Sequence, residues 1–130
     1  MSEFGEVCEL LAASEKYGHW SFDKVVQTFL LPIAMNQALV FRRNDDVVGV
    51  ITYAYVSDEA LEDLVSGKQR INADDWQSGE NIFFPDIVAP FGSVREMVRQ
   101  TQQHFIKYFG KGVKGHWYRP AKERSGNATS

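Results

Sequence analysis

A chain of 130 residues that is 44% hydrophobic, 24% charged and 13% aromatic has the length and composition of one globular domain, which excludes a disordered tail and a low-complexity or collagen-like chain. Its one cysteine, Cys8, excludes a disulfide framework and a multi-thiolate metal site, and no apolar run approaches the length that spans a bilayer. The net charge of −3 conceals a split, because residues 1–92 carry 6 Lys/Arg against 15 Asp/Glu while residues 93–130 carry 8 against 2; the last third is either a basic patch for an acidic partner or a solvated basic face.

In chain order, the spacing of Phe4, Val7, Leu10 and Leu11 predicts an amphipathic helix over residues 3–13. A polar turn over 14–20 holds Gly18 and His19. Phe22, Val25, Val26, Phe29 and Leu30 mark a second amphipathic helix that Pro32 should interrupt. Residues 38–42 read as a strand, Asn44-Asp45-Asp46 as a hairpin turn and 47–56 as the partner strand. Ser57 and Asp58 open a short helix that ends at Gly67. After a loop over 72–80, residues 81–89 read as a strand. Ser93 and Glu96 have the spacing of a capping box for a helix that carries Val94, Met97, Val98, Thr101 and Phe105 on one face and stops near Gly110. Residues 113–118 are a last strand.

The expected order is therefore ααββαβαβ, an α/β (α+β) class in which a mixed sheet is flanked by helices. The domain should cover residues 1–122, with a polar tail over 123–130. Such an arrangement suits an acyltransferase of the GNAT type, although fold alone does not assign function. The start of the chain shows no charged segment followed by an apolar one, so a cytoplasmic protein without stable membrane insertion is expected.

Asp86 is the most informative carboxylate, because every neighbour in Ile82-Phe83-Phe84-Pro85-Asp86-Ile87-Val88-Ala89 is apolar. Such a carboxylate must be paired or hydrogen-bonded; Pro85 also allows an edge or bulge position with a purely structural role. His19 can act as a base near neutral pH or be an exposed turn residue. His104 and His116 read as packing or surface residues, and no pair of histidines has ligand spacing, so no metal is expected. Gly110-Lys111-Gly112 lacks the spacing of a phosphate loop, and neither a dinucleotide fingerprint nor a nucleophile elbow occurs.

Two stretches carry a resemblance. Asp74-Asp75-Trp76-Gln77-Ser78-Gly79-Glu80, followed by Asp86-Ile87-Val88-Ala89-Pro90-Phe91-Gly92, resembles the D-W-x-S-G and D-x-x-A-P-F-G blocks of the RTX toxin-activating lysine acyltransferases, the haemolysin-activating C proteins. Pro32 with Asn36-Gln37, the 48–54 strand and the 14–20 turn are also similar. The resemblance implies a GNAT-like fold, a homodimer, and transfer of a fatty acyl group from acyl carrier protein to an internal lysine of a protoxin. It implies no bound cofactor, since acyl-acyl carrier protein is a substrate. It places Asp86 in a catalytic role and Pro90, Phe91 and Gly92 at the substrate. The family's S-x-x-H histidine column, laid without gaps, falls on Tyr17, two residues before His19. Either the turn is re-spaced and His19 is the base, or the chain lacks that base; a tyrosine with a pKa near 10 is a poor base at pH 7, which leaves His19 as the candidate catalytic base beside Asp86.

A lysine with a pKa near 10.4 is neutral in only about one molecule in a thousand at pH 7.4, so attack on a thioester needs a proton acceptor. Asp86 could orient His19 or itself hold the incoming ammonium. Backbone amides near Gly92 and the start of the following helix are candidates to stabilise the thioester oxygen. Lys107, Lys111, Lys114 and Arg119 are candidates to meet the acidic carrier protein. No recognition-helix signature or aromatic RNA-binding motif accompanies this basic third, so no nucleic-acid partner is expected. A non-catalytic GNAT-like module that holds a protein or acyl carrier is the competing class.

Overall fold

The computed structural model describes residues 3–118; the expected tail and Arg119 lie outside them. Helix α1, Glu3–Ala12, buries Val7, Leu10 and Leu11, the three positions that helical spacing places on one face. A bidentate pair from Arg42 to Glu6, at 2.8 and 2.9 Å, ties α1 to the first strand. Ser21 caps α2, Phe22–Val25, by accepting from the Lys24 amide at 3.2 Å. The helical path then widens into a π-helical turn, Val26–Leu30, and tightens again as α3, Leu31–Ala34. Pro32 thus does not break the helix, as the sequence suggests it should. A proline lacks the N–H for the preceding turn and crowds its carbonyl, and the wider π turn absorbs that mismatch while burying Phe29 completely.

Strands β1, Ala38–Arg43, and β2, Asp46–Thr52, form an antiparallel hairpin. Its turn is made possible by Asn44 at φ 58°, a left-handed conformation that asparagine tolerates. Strand β3, Ala54–Val56, follows directly, and Ser57 then caps α4, Asp58–Ser66, accepting from the Ala60 amide at 3.1 Å. Strands β4, Asn81–Phe83, and β5, Ile87–Val88, precede α5, Val94–Phe109, and β6, Gly115–His116. One three-stranded sheet has the order β1-β2-β5, all antiparallel; the other has the order β3-β4-β6, with β4 antiparallel to β3 and parallel to β6.

The mixed α/β class holds and is consistent with a GNAT-like arrangement, but the order ααββαβαβ needs correction. The two long strands expected over 47–56 and 81–89 are each divided, and the last strand is only two residues long. The division has one geometric cause. Ile51 pairs with Ile87 and Ala54 with Phe83, so two residues on one strand oppose three, 84–86, on the other. Pro85 sits in this bulge, where a missing N–H does no harm. Beyond the bulge the faces exchange. Phe84 packs with Ile82, Met97 and Phe105 on the α5 side, whereas Val88 packs with Val7, Leu10 and Tyr17 on the α1 side.

Opposite the bulge, Tyr53 turns its backbone to Gln37 instead of to the neighbouring strand. Its N–H donates to the Gln37 carbonyl at 2.9 Å, and the Gln37 amide donates to the Tyr53 and Trp76 carbonyls at 3.0 and 3.1 Å. Gln77 donates back to Gln37 Oε1 at 2.8 Å, so this buried amide is satisfied on both ends. The D-W-x-S-G loop is built into the same region. Trp76, 1% exposed, fills a cluster with Ala54, Val56, Leu64 and Phe83. The amides of Ser78 and Gly79 both donate to the Tyr55 carbonyl, at 2.8 and 3.0 Å. Ser78 Oγ accepts from the Ser57 amide at 3.2 Å and donates to the Asp75 carbonyl at 3.0 Å. The motif is a clamp between β3 and the start of α4.

Two substitutions measure these constraints. A Cβ at position 79 would lie 2.5 Å from the backbone of Val56 and Ser57, so Gly79→Ala should destabilise by about 1–3 kcal/mol in denaturant titrations. Thr52 is completely buried, and its Oγ1 has no hydrogen-bond partner among the described residues. Thr52→Val keeps the shape and removes the orphaned hydroxyl, so the same titration should show stability unchanged or raised by about 1 kcal/mol.

Candidate active site

The bulge turns Asp86 toward the α1 side, where the 14–20 turn closes over it. Tyr17 Oη donates to Asp86 Oδ1 at 2.8 Å, and both side chains are buried, at 4% and 6% exposure. No other hydrogen bond reaches the Asp86 carboxylate from the described residues, so Oδ2 keeps its acceptor capacity. The Thr52 N–H donates to the Asp86 carbonyl at 3.1 Å. Alternation from the Ile51–Ile87 pair puts the Thr52 and Asp86 side chains on the same face.

Tyr17 is held by its own turn and by aromatic neighbours. The Gly18 amide donates to the Ser14 carbonyl at 2.8 Å and the Trp20 amide to the Tyr17 carbonyl at 3.1 Å. The Tyr17 ring meets Trp20 and Phe29 edge-on, with centroids 4.8 and 5.7 Å away. Gly18 is required for this path, since a Cβ there would lie 2.8 Å from the Ser14 carbonyl oxygen.

Burial pushes the Asp86 carboxyl above the usual aspartate range. The Tyr17 hydrogen bond and the charges of Lys16, Arg70 and Lys24 oppose that shift without reversing it. Burial, and then the negative charge of Asp86, push the Tyr17 phenol well above its ordinary value. At neutral pH the phenol is therefore a donor and never a base. The pair has one chemical capability: a desolvated carboxylate, oriented through Oδ1, that can accept a proton at Oδ2.

Of the residues weighed by sequence, the structure brings Asp86 and Tyr17 together. His19 is exposed, two residues beyond Tyr17, and makes no hydrogen bond or ion pair among the described residues. The residue of the ungapped histidine column, Tyr17, is the one in contact with Asp86. Pro90 is half-buried, Phe91 is exposed, and Gly92 and Ser93 adopt φ of 90° and 71°. Those left-handed conformations overturn the expected capping box. Ser93 makes no cap and accepts from Arg43 at 3.4 Å, while Glu96 turns to Arg99 and Gln100. Lys107, Lys111 and Lys114 are exposed around the C-terminal end of α5. Tyr17 stands in the histidine column of the S-x-x-H motif, whereas Lys24 and Arg70 were not marked by any motif. The signal for Tyr17 was its place in that column; for Lys24 it was the density of aromatic and basic residues between Lys16 and Lys24.

A cavity of about 400 Å³ lies on the opposite face, beneath α5, with Ile82, Phe84, Val98, Phe105 and Trp117 in its wall and Lys114 at its rim. Its size is that of a small-molecule or chain-binding pocket. Among the described residues no three His, Cys, Asp or Glu side chains gather as metal ligands, and no helix is long and apolar enough to cross a membrane.

The sequence has relatives that bear on this site. Over 67 residues it is 34% identical to the lysine-acyltransferase RtxC of Vibrio cholerae, covering 51% of this chain and 44% of that one. Over 122 residues it is 23% identical to the RTX-II toxin-activating lysine-acyltransferase ApxIIC of Actinobacillus pleuropneumoniae, covering 94% of this chain and 74% of that one. The protein-lysine myristoyltransferase HlyC of Escherichia coli is 28% identical over 101 residues, 78% of this chain and 59% of its own length. The chain thus spans from under half to about three quarters of these relatives. The sequence model of the RTX toxin acyltransferase family matches residues 1–127, nearly the whole length. With Asp86 buried beside the A-P-F-G segment and the D-W-x-S-G loop clamped behind it, the chain belongs to the RTX toxin acyltransferase family.

Proposed function

We propose that this chain transfers a fatty acyl group from the thioester of an acyl carrier protein to the side-chain amine of a lysine in a protein substrate, with Asp86 as the proton acceptor. The observation that carries this reading is the buried Asp86 carboxylate held through one oxygen by Tyr17. The lysine Nζ attacks the thioester carbon, a C–N bond forms and the C–S bond breaks. The proton lost by Nζ passes to Asp86 and then to the departing thiolate, leaving an amide and a free thiol. A carboxyl raised by burial is a stronger acceptor than an ordinary aspartate. The acyl carrier protein docks on the exposed Lys107, Lys111 and Lys114, and Pro90, Phe91 and Gly92 border the substrate. The reading includes a homodimer in the cytoplasm, an RTX-type protoxin as acceptor and no bound cofactor.

One observation favours a second reading. Tyr17, not a histidine, contacts Asp86, and a phenol raised by burial cannot serve as base. A non-catalytic module would keep the fold and the carrier contact without the transfer. His19 retains a place as base only if the turn repacks toward Asp86.

Transfer of a myristoyl group from acyl carrier protein to a protoxin lysine separates these readings. Wild type should transfer, and Asp86→Asn should lose two or more orders of magnitude, by comparison with the roughly 10⁴-fold effect of the corresponding change in a catalytic triad. Transfer at the wild-type rate by Asp86→Asn makes Asp86 structural; no transfer by wild type leaves the module reading. The rate should rise with pH as Asp86 ionises, and Tyr17→Phe should move the midpoint upward because the anion loses a donor. His19→Ala should change the rate only a few-fold, and its loss would make His19 the base.

Stability should follow the same group. Because the folded state holds the Asp86 proton more tightly than the unfolded chain, this residue's contribution is fully present below about pH 4 and is lost as pH rises through the raised value. Asp86→Asn should remove that decline in chemical denaturation measured from pH 4 to 8. For the donor, Lys107, Lys111 and Lys114 changed together to Glu should weaken binding of acyl carrier protein at low salt, with the effect shrinking at high salt.

A further inference from the structure

Three cations gather on the Tyr17 and Trp20 rings beside Asp86, from two separate parts of the chain. Lys24 Nζ stands 4.0 Å from the centre of the Trp20 ring, and the Arg70 guanidinium carbon lies 5.9 Å from the same ring. Lys16 Nζ is 5.0 Å from the centre of the Tyr17 ring, which touches Trp20 edge-on at 4.8 Å. All three side chains are exposed, and none forms an ion pair among the described residues. Among the described residues the acids on the same segments make no ion pair with them: Asp23 accepts from Gln27 at 3.2 Å, Asp75 accepts from the Asn72 amide at 3.0 Å, and Glu15 is exposed. The charges that act on Asp86 are these same three cations.

A site meant to receive an ammonium group is poorly served by three positive charges beside it. Like charges at such spacing repel, and an isolated lysine would be turned away. The collar becomes favourable when the incoming lysine brings its own counter-charges. We propose, on the basis of the acyl-transfer reading above, that Lys16, Lys24 and Arg70 select the acceptor by binding acidic residues that flank the target lysine. Consecutive Cα atoms are 3.8 Å apart, so side chains one to three residues from a lysine lie within roughly 4–11 Å of it along the chain. That span matches a collar drawn around two touching rings beside Asp86. The phosphate of a carrier arm fits less well, because many bonds separate it from the thioester sulfur. A phosphate held at the collar would keep the reacting carbon away from the carboxylate.

The test uses three peptides that differ only around one lysine, with Asp/Glu, Asn/Gln or Lys/Arg as flanking residues, and myristoyl-acyl carrier protein as donor. Wild type should favour the acidic peptide over the neutral one by about tenfold in kcat/KM at low salt, mainly through KM, with the preference fading in 0.5 M NaCl. Lys24→Glu combined with Arg70→Glu should reverse the ranking toward the basic peptide; Lys24→Gln with Arg70→Gln, a milder pair, should abolish it. Equal use of acidic and neutral peptides by wild type would overturn the assignment, as would a ranking that survives both pairs. Weakened carrier binding with an unchanged peptide ranking would overturn it too, in favour of the donor as occupant. Fluorescence anisotropy of the same peptides gives the ranking without catalysis. If wild type acylates none of them, the acyl-transfer reading fails, and the anisotropy ranking alone decides whether the collar binds acidic segments.

Discussion

The mismatch of two residues against three between the strands around Thr52 and Pro85 is the constraint on which the rest of the structure depends. Were the two strands in continuous register, the residue two before Val88 and the residue four before it would face the same way. The extra residue breaks that parity. Phe84 goes to the core beneath α5, Asp86 goes to the core beneath α1, and the sheet divides between them. A proline at the break is tolerated because the bulge asks for no N–H there, and Gln37 supplies the bonds that Tyr53 would otherwise have sought in the ladder.

That parity change places a carboxylate where it is most expensive. Asp86 is buried, and among the described residues one donor, Tyr17, reaches its carboxylate. A protein optimised for stability alone would place an apolar residue here. The turn that delivers Tyr17 is itself specialised, closing through Gly18 and packing Tyr17, Trp20 and Phe29 ring to ring. The π-helical turn belongs to the same design, because it carries Phe29 inward to meet Tyr17 while accommodating Pro32.

The two blocks that carry the family resemblance play different physical parts. D-W-x-S-G clamps the edge of β3 with a buried indole, two amides on one carbonyl and a glycine pressed against backbone. Its hydrogen bonds reach β3, the start of α4 and Gln37. D-x-x-A-P-F-G supplies the carboxylate and then leaves the strand through two left-handed residues, Gly92 and Ser93. Neither block contains the residue that touches Asp86. That residue comes from the 14–20 turn, far away in the sequence.

The sequence by itself determined the mixed class and the positions of nearly every helix, and it singled out Asp86. Each of these follows from local pattern: the faces of α1, α4 and α5 repeat at helical spacing, and a carboxylate among seven apolar neighbours stands out wherever they fold. Only tertiary structure decided the rest. The division of two strands depends on how 81–88 registers against 46–56, and register is a property of the pair. The capping box failed because the chain enters α5 through left-handed residues, which spacing alone does not reveal. Between Tyr17 and His19, both in one short turn, the sequence favours His19 as the partner of Asp86, because only an imidazole titrates near neutral pH. It took the closing of Gly18 against Ser14, and the packing of Trp20 on Tyr17, to turn the phenol inward to Asp86 and leave the imidazole outside.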